Sequence, residues 1–222
     1  MGLLKQAYDT YEYNAHLVGQ QAEGKQPLCP LAHIVQNAQI TVELDGTGRF
    51  ITASAIDKDD TKTIIPATEK SASRTSGKVA HPLCEQVCYV SGQDPKLFSA
   101  YEKELGAWAD SEYSHPMLKT IRSYVQKKSL LGDLAAARVI ELDKNGKLKD
   151  GKINGIDYEK CLIRWQVGGR RCWTSQELFN AFKAYYTAAM PGKRGLCKVS
   201  GEEDVIVSTH DKGNIPATNS AK

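Results

Sequence analysis

The sequence predicts an α+β protein, because two different hydrophobic periods occur in separate parts of the chain. The segment AQITVELDGTGRFITASAI alternates apolar and polar residues on both sides of Asp45-Gly46-Thr47-Gly48, a pattern typical of a β-hairpin. Between about 93 and 150 the apolar residues instead recur at helical spacing. We therefore expect an N-terminal helix and a small antiparallel β-sheet, a mostly helical middle, and a further strand and helix.

The first elements follow from local patterns. Residues 2–17 are predicted to form an amphipathic helix, since their apolar residues recur at helical spacing: Leu3, Leu4, Ala7, Tyr8, Tyr11 and Ala15. The segment TKTIIPA predicts a third short strand, with Pro66 at its end or edge. Residues 69–78 are predicted to be a polar, basic loop, followed by a short helix.

Two proline-marked helix starts follow. Asp94 is the expected N-cap of a helix whose first position is Pro95, and His115-Pro116 begins another over about 117–131. The segment GDLAAARVIELDKNG then continues as a helix or switches from helix to strand. The chain divides approximately into 1–92, β-rich; 93–150, helical; and 151–222, strand, helix and hairpin.

The last third contains a strand, a turn, a helix and a hairpin. EKCLIRWQV predicts the strand and Gly168-Gly169 the turn. TSQELFNAFKAYYTAAM predicts a helix capped by Thr174 or Ser175. A final hairpin is expected around Ser200-Gly201.

Composition indicates an ordinary globular protein: 222 residues, 41% hydrophobic and 25% charged. No apolar run approaches the roughly 18 residues of a transmembrane helix, and no signal peptide is recognisable, so a cytoplasmic location without membrane contact is expected. The six cysteines are accordingly expected to be reduced and mostly buried.

The net charge of +3 is unevenly distributed. Residues 1–57 carry three Lys/Arg against six Asp/Glu, residues 119–149 carry eight against three, and residues 161–198 carry seven against one, Glu177. A basic segment beside an acidic one is consistent with a polyanion on one side of the protein, or simply with a solvated basic surface.

The segment EKSASRTSGKVAHPLCEQVCYVSG, residues 69–92, could be a metal site, a phosphate-binding loop or a loop that contacts a partner. On a helix, His81, Cys84 and Cys88 would share one face and could bind zinc, but the paired C-x2-C motifs of structural zinc sites are missing. A buried helix face is therefore the preferred interpretation. In the basic part, Lys70–Lys78, hydroxyls, a glycine and three cations could approach phosphates. From the residues alone, a flexible surface loop is the preferred interpretation of this part.

Other chemistry is less well supported. No activating motif surrounds any cysteine, so a Cys/His nucleophile is disfavoured. The acidic groups Asp59-Asp60 and Glu202-Glu203-Asp204 lie in polar, turn-like sequence rather than on several converging elements. No phosphate-binding or zinc-protease motif occurs. An enzyme, a resident metal and a cofactor are therefore not expected.

Several segments resemble one known family. RTSGKVAHPLCEQVCYVSG is similar to a block of the Csd-type large subunit (the Cas8c/Csd1 family) of type I-C CRISPR surveillance, or Cascade, complexes. LLKQAYDTYEY resembles that family's opening helix, ITVELDGTGRFITASAI its early hairpin, and CLIRWQVGGRRCWTSQELFNAFKAYY a strand-loop-Trp-helix segment. CKVSGEEDVIVSTHDKGNIPATNSAK resembles the point where family members continue, so the chain is expected to be an N-terminal fragment. One departure is Glu85, which stands in a Cys-Glu-Gln context.

The resemblance implies a non-catalytic role in antiviral defence. Such a subunit recognises the protospacer-adjacent motif (PAM) on target duplex DNA, helps to open the strands and start the R-loop, and supports recruitment of a helicase-nuclease. Its implied partners are double-stranded target DNA, the crRNA-bound Cascade subunits and that helicase-nuclease. Base pairing with the guide RNA would read the sequence, while the protein reads only the PAM duplex.

The resemblance and the basic composition together predict the DNA-contacting residues. The first group is the 69–78 segment: Lys70, Ser71, Ser73, Arg74, Thr75, Ser76, Gly77 and Lys78. Arg170 and Arg171 are the second group, expected on backbone phosphates. Trp173 is either a core residue or a stacking platform.

Two alternatives remain open. The protein could be a scaffold whose basic face meets protein partners, in which case DNA binding would be weak and nearly independent of salt. It could instead be a metal-dependent nucleic-acid enzyme, for which Asp59, Asp60, His81 and Glu85 are the candidate ligands.

Overall fold

The computed structural model describes residues 2–20, 27–74, 79–190 and 192–206. It confirms the α+β class. The α-helices are α1 (Leu3–Tyr13), α2 (Glu69–Ala72), α3 (Val87–Val90), α4 (Pro95–Ala109), α5 (Pro116–Val125), α6 (Leu130–Ala136) and α7 (Gln176–Ala189). The strands are β1 (His33–Asn37), β2 (Ile40–Leu44), β3 (Phe50–Ala55), β4 (Lys62–Pro66), β5 (Lys152–Ile153), β6 (Ile156–Asp157), β7 (Ile163–Val167), β8 (Arg170–Arg171), β9 (Lys193–Leu196) and β10 (Glu203–Ile206).

The main sheet has the order β3-β2-β7-β8 and joins distant parts of the chain. The β2–β3 hairpin is antiparallel, as predicted. The late strand β7, however, pairs in parallel with β2, Val42 opposite Trp165. A parallel pair needs a long crossover, and the helical middle provides it. The sequence prediction of a purely antiparallel sheet missed this pairing, because no local pattern specifies a partner so far along the chain.

One face of this sheet carries the core. On this face Val42 of β2 and its partner Trp165 of β7 are fully buried, whereas the next pair along, Glu43 and Gln166, is polar and only partly buried. Trp165 packs edge-on against Tyr124 of α5, with ring centroids 5.9 Å apart. Its indole N–H donates to Leu83 O at 3.1 Å, so this large side chain is buried with its polar group satisfied.

The predicted helix starts are confirmed. Asp94 caps α4 by accepting hydrogen bonds from the backbone N–H groups of Lys96 and Leu97, and Pro95 is the first helical residue. His115 caps α5 in front of Pro116, and Ser175 caps α7 by accepting from Leu178 N–H. The final hairpin is formed by β9 and β10.

Two local predictions were wrong, and one strand was missed. The segment 69–78 begins with the helical turn α2 rather than with a loop. The helix predicted over 117–131 ends at Val125, because Lys128 adopts a φ of 53° and separates α5 from α6. Strand β1 was not predicted. It pairs antiparallel with β4, the strand that the segment TKTIIPA predicted.

All six cysteines are free thiols, and three of them, Cys84, Cys161 and Cys172, are buried. Within the described ranges, no helix has both the length and the apolar character that a membrane crossing requires.

Candidate nucleic-acid interface

Arg74, a predicted DNA contact, is held inside the protein by Glu85. The Glu85 side chain is fully buried, and its carboxylate accepts two hydrogen bonds from the Arg74 guanidinium, the longer at 2.8 Å from Nη2. The same guanidinium donates to Val79 O and lies 5.3 Å from the centre of the Tyr89 ring. Arg74 therefore ties the residues on the two sides of 75–78 together.

The Glu85 carboxylate also accepts hydrogen bonds from two backbone N–H groups. His81 N–H donates to Oε2 at 2.7 Å and Gln86 N–H to Oε1 at 2.8 Å. A buried carboxylate is tolerated only when it is paired and hydrogen-bonded in this way. Burial disfavours the charged guanidinium, but the hydrogen bonds and the charge attraction of Glu85 together offset that cost and leave the pKa of Arg74 above its usual value.

Ser71 is a structural residue in this arrangement, with 1% of its surface exposed. It forms a capping box with Thr68, in which each side chain accepts a hydrogen bond from the other residue's backbone N–H. Its hydroxyl also lies 3.0 Å from Nδ1 of His81. Burial lowers the pKa of His81 to about 4, so this imidazole is neutral at pH 7.

The remaining residues of the predicted first group differ in position. Lys70 is exposed on α2, and Ser73 is exposed with its hydroxyl donating to Glu69 O at 2.7 Å. The helix is attached to α7, because Glu69 N–H donates to the Tyr186 hydroxyl at 2.9 Å. Thr75, Ser76, Gly77 and Lys78 lie outside the described residues.

The second predicted group lies on the edge strand β8, and its two arginines have different environments. Arg170 donates to the Glu177 carboxylate at 2.6 Å, and His115 Nε2 lies 3.6 Å from the same oxygen. The Arg170 hydrogen bond keeps the pKa of Glu177 below its usual value. Arg171 is exposed and, among the described residues, forms no ion pair; its guanidinium lies 5.7 Å from the centre of the Trp173 ring.

Trp173 is a core residue, 3% exposed, so it offers no open face for stacking a base. The buried Arg164 lies 4.0 Å from the ring centre and also binds Asp60 through Nη2 at 2.7 Å and Thr41 Oγ1 through Nε at 3.0 Å. Trp173 therefore has one buried and one exposed arginine beside it. Counting the lysines and arginines of residues 161–198 did not reveal that Asp60 neutralises Arg164.

A groove along α7 was not predicted as a site. It has a volume of about 550 Å³, and we call it the α7 groove; its lining residues are Tyr113, Asn180, Lys183, Ala184, Thr187, Ala188 and Arg194. The signal that could have found it was the basic excess of residues 161–198, which includes Lys183 and Arg194. The charge count alone could not show which of those cations share a surface.

The candidate metal ligands do not come together. Residues 81–86 are not helical, so His81 and Cys84 do not share a helix face with Cys88. Asp60 binds Arg164, whereas Glu85 binds Arg74. In the part of the chain that the structure describes, no three His, Cys, Asp or Glu side chains are grouped as a metal site.

A cleft of about 900 Å³ lies between the α3–α4 region and residues 148–159. Its lining mixes acids such as Asp94 and Asp157 with lysines such as Lys152, which is 3.5 Å from Asp157. Cys88 also lines it, and burial raises the pKa of this thiol to about 11, so the thiol is protonated at neutral pH. This cleft has neither a uniform charge nor an activated nucleophile.

Comparison with known proteins identifies the family. No curated protein matches the chain. The family described as CRISPR-associated protein (Cas_Csd1) matches residues 8–222, which is nearly the whole sequence. The chain therefore belongs to the Cas_Csd1 family of CRISPR-associated proteins.

Proposed function

We propose that this chain is a non-catalytic part of the large subunit of a type I-C Cascade complex. It recognises the PAM on target duplex DNA, helps to start the R-loop, and supports recruitment of the helicase-nuclease. The observation that carries the proposal is membership of the CRISPR-associated family over residues 8–222. The division of labour in guided recognition, in which the protein reads only a short duplex motif, requires cations on the surface rather than a catalytic group.

The structure supports a narrower choice of contact residues within this proposal. Lys70 and Arg171 are exposed cations, whereas Ser71 is buried and Arg74 is bound to Glu85. We assign Lys70 and Arg171 to direct contact with DNA. Ser71 and Arg74 act as positioning residues for the segment that contains Thr75–Lys78, which keeps its predicted role as the PAM probe.

The test is target interference by the assembled complex over a randomised PAM library, with Lys70→Ala and Arg171→Ala as separate variants. Lys144→Ala is the control, because Lys144 is an exposed lysine in the 143–147 turn. Arg74→Ala is not suitable here, since it would leave Glu85 buried and unpaired.

If Lys70 or Arg171 reads a base, its loss relaxes PAM choice; if it binds phosphate, its loss weakens all sequences alike. Either change, with normal assembly and an unaffected control, supports the proposal. Wild-type interference and the wild-type PAM profile in both variants would contradict the assignment of these residues. A complex whose target binding ignores the PAM altogether would contradict the proposed function.

A further inference from the structure

The described residues that line the α7 groove include cations and no acid. Lys183 and Arg194 are its two charged residues, both exposed, and neither is in an ion pair with another described residue. The nearest acids are Glu112, beside Tyr113; Glu177, which accepts a hydrogen bond from Arg170; and Glu203 and Asp204 of β10, the strand that pairs with β9. The groove therefore presents two cations that form no ion pair with the described residues.

The shape of the groove suits a polymer backbone. Ala184 and Ala188 form part of its wall, so at these two positions a ligand can approach the helix backbone closely. Asn180, Thr187 and Tyr113 add groups that can form hydrogen bonds. Cations, small residues and neutral hydrogen-bonding groups are the set that contacts phosphate and sugar without reading sequence.

The same side of α7 continues toward Arg171. Gln176, Asn180, Lys183 and Thr187 recur at spacings of four, three and four, so they share one helix face, while Leu178, Phe179 and Phe182 are buried on the other. A second groove of about 410 Å³ lies at the helix start, lined by Arg170, Arg171, Thr174, Ser175, Gln176 and Glu177. From Gln176 to Thr187 the helix rises about 17 Å. That length matches about five nucleotide steps of about 3.4 Å.

We propose that the α7 groove is a second nucleic-acid contact, in which Lys183 and Arg194 bind phosphates of one phosphodiester strand that also passes Arg171. The inference rests on the proposed function in assuming a nucleic-acid partner. It adds a surface, lined by residues of α7 and β9, that does not read sequence. The strand could belong to target duplex DNA or to guide RNA, since both offer the same backbone phosphates.

The test is fluorescence anisotropy of the full 222-residue chain with two probes, a labelled duplex DNA of arbitrary sequence and a labelled single-stranded RNA, over a range of salt concentrations. The variant is Lys183→Gln/Arg194→Gln. The charge-matched control is Lys144→Gln/Lys147→Gln, which removes two exposed cations from a different turn. Lys183→Arg/Arg194→Lys preserves both charges, and the thermal midpoint checks folding.

Because the variant removes two phosphate-binding cations, we expect the slope of log K against log salt to fall by about 1.8 with duplex DNA and by about 1.4 with single-stranded RNA. Binding should weaken roughly tenfold or more. The control and the charge-preserving variant should keep the wild-type slope within about 0.5. A loss with duplex DNA alone assigns the groove to the target, a loss with RNA alone assigns it to the guide, and both outcomes support the proposal.

The proposal is overturned if the variant and the control bind both probes equally, or if the wild-type chain shows no salt-dependent binding to either probe. Its failure is distinct from that of the proposed function. If the assembled complex has a normal PAM profile but the salt slope of Lys183→Gln/Arg194→Gln equals that of the wild type, only the groove proposal is contradicted. If the salt slope falls in Lys183→Gln/Arg194→Gln while the assembled complex binds targets regardless of the PAM, the groove proposal stands and PAM recognition is contradicted.

Discussion

Arg74 and Arg171 illustrate two different uses of arginine in one small protein. Arg74 has 18% of its side chain exposed and is bound to a fully buried carboxylate. Arg171 is exposed beside Trp173 and, with respect to the described residues, has no carboxylate partner. The first contributes to folding and the second is available to a ligand. A cation is therefore a candidate for nucleic-acid contact only when its counter-charge is missing.

The largest expected effect is on stability and tests Arg74. Arg74→Ala removes the partner of Glu85 and leaves a buried, uncompensated carboxylate, which should destabilise the protein by about 3–5 kcal/mol. Urea unfolding of the full chain measures this. Lys70→Ala is the control on the neighbouring helix, and should change stability by no more than about 0.5 kcal/mol. Equal stabilities would show that Arg74 is a surface residue like Arg171.

A second prediction concerns the pH dependence of stability that two buried histidines cause. Burial lowers the pKa of His81 and of His33 to about 4, below the usual value of about 6.5. The unfolded chain therefore binds more protons between these values, so stability is complete above about pH 6.5 and declines as the pH falls toward 4. Each histidine should contribute up to about 1.4 kcal/mol per pH unit in that window.

Urea unfolding at a series of pH values measures this slope. The variants His81→Gln and His33→Gln should each make the dependence shallower. His16→Gln is the comparison, because His16 is exposed near the end of α1. An undiminished slope in both buried-histidine variants would assign the acid sensitivity to other groups.

A third prediction sharpens the comparison at the surface. Glu177 neutralises Arg170 at 2.6 Å, so Glu177→Gln should release Arg170 and make it available like Arg171. Duplex DNA binding should strengthen, and its salt dependence should become steeper by about 0.9. Glu159→Gln is a charge-matched control at an exposed site on another segment. Equal gains in the two variants would indicate a general effect of net charge.

The smallest expected effect concerns the turn that orients β8. Gly169 has a φ of 75° and open space where a Cβ would lie, so Gly169→Ala should cost about 1–2 kcal/mol through backbone strain alone. Gly132→Ala is the opposite case, because Gly132 is inside α6 and has free space where a Cβ would lie. This substitution should raise the free energy of unfolding by about 0.5–1 kcal/mol. Unfolding midpoints of the two variants should therefore shift in opposite directions.

Local sequence was sufficient for elements with strong signals of their own. The β2–β3 hairpin, the starts of α4 and α5 and the Gly168-Gly169 turn follow from alternation, caps, proline and glycine. Boundaries were less predictable where a single backbone conformation decided them, as at Lys128. The family resemblance, based on short segments along most of the chain, agrees with the family match over residues 8–222.

The sequence by itself determined the α+β class, the family and the basic character of the last third of the chain. Only the tertiary structure decided that β7 lies beside β2, that Glu85 neutralises Arg74, and that Lys183 and Arg194 share a groove. The physical reason is separation along the chain. Periodicity and capping act over a few residues, whereas a strand pairing or a counter-charge depends on groups that only the folded core brings together.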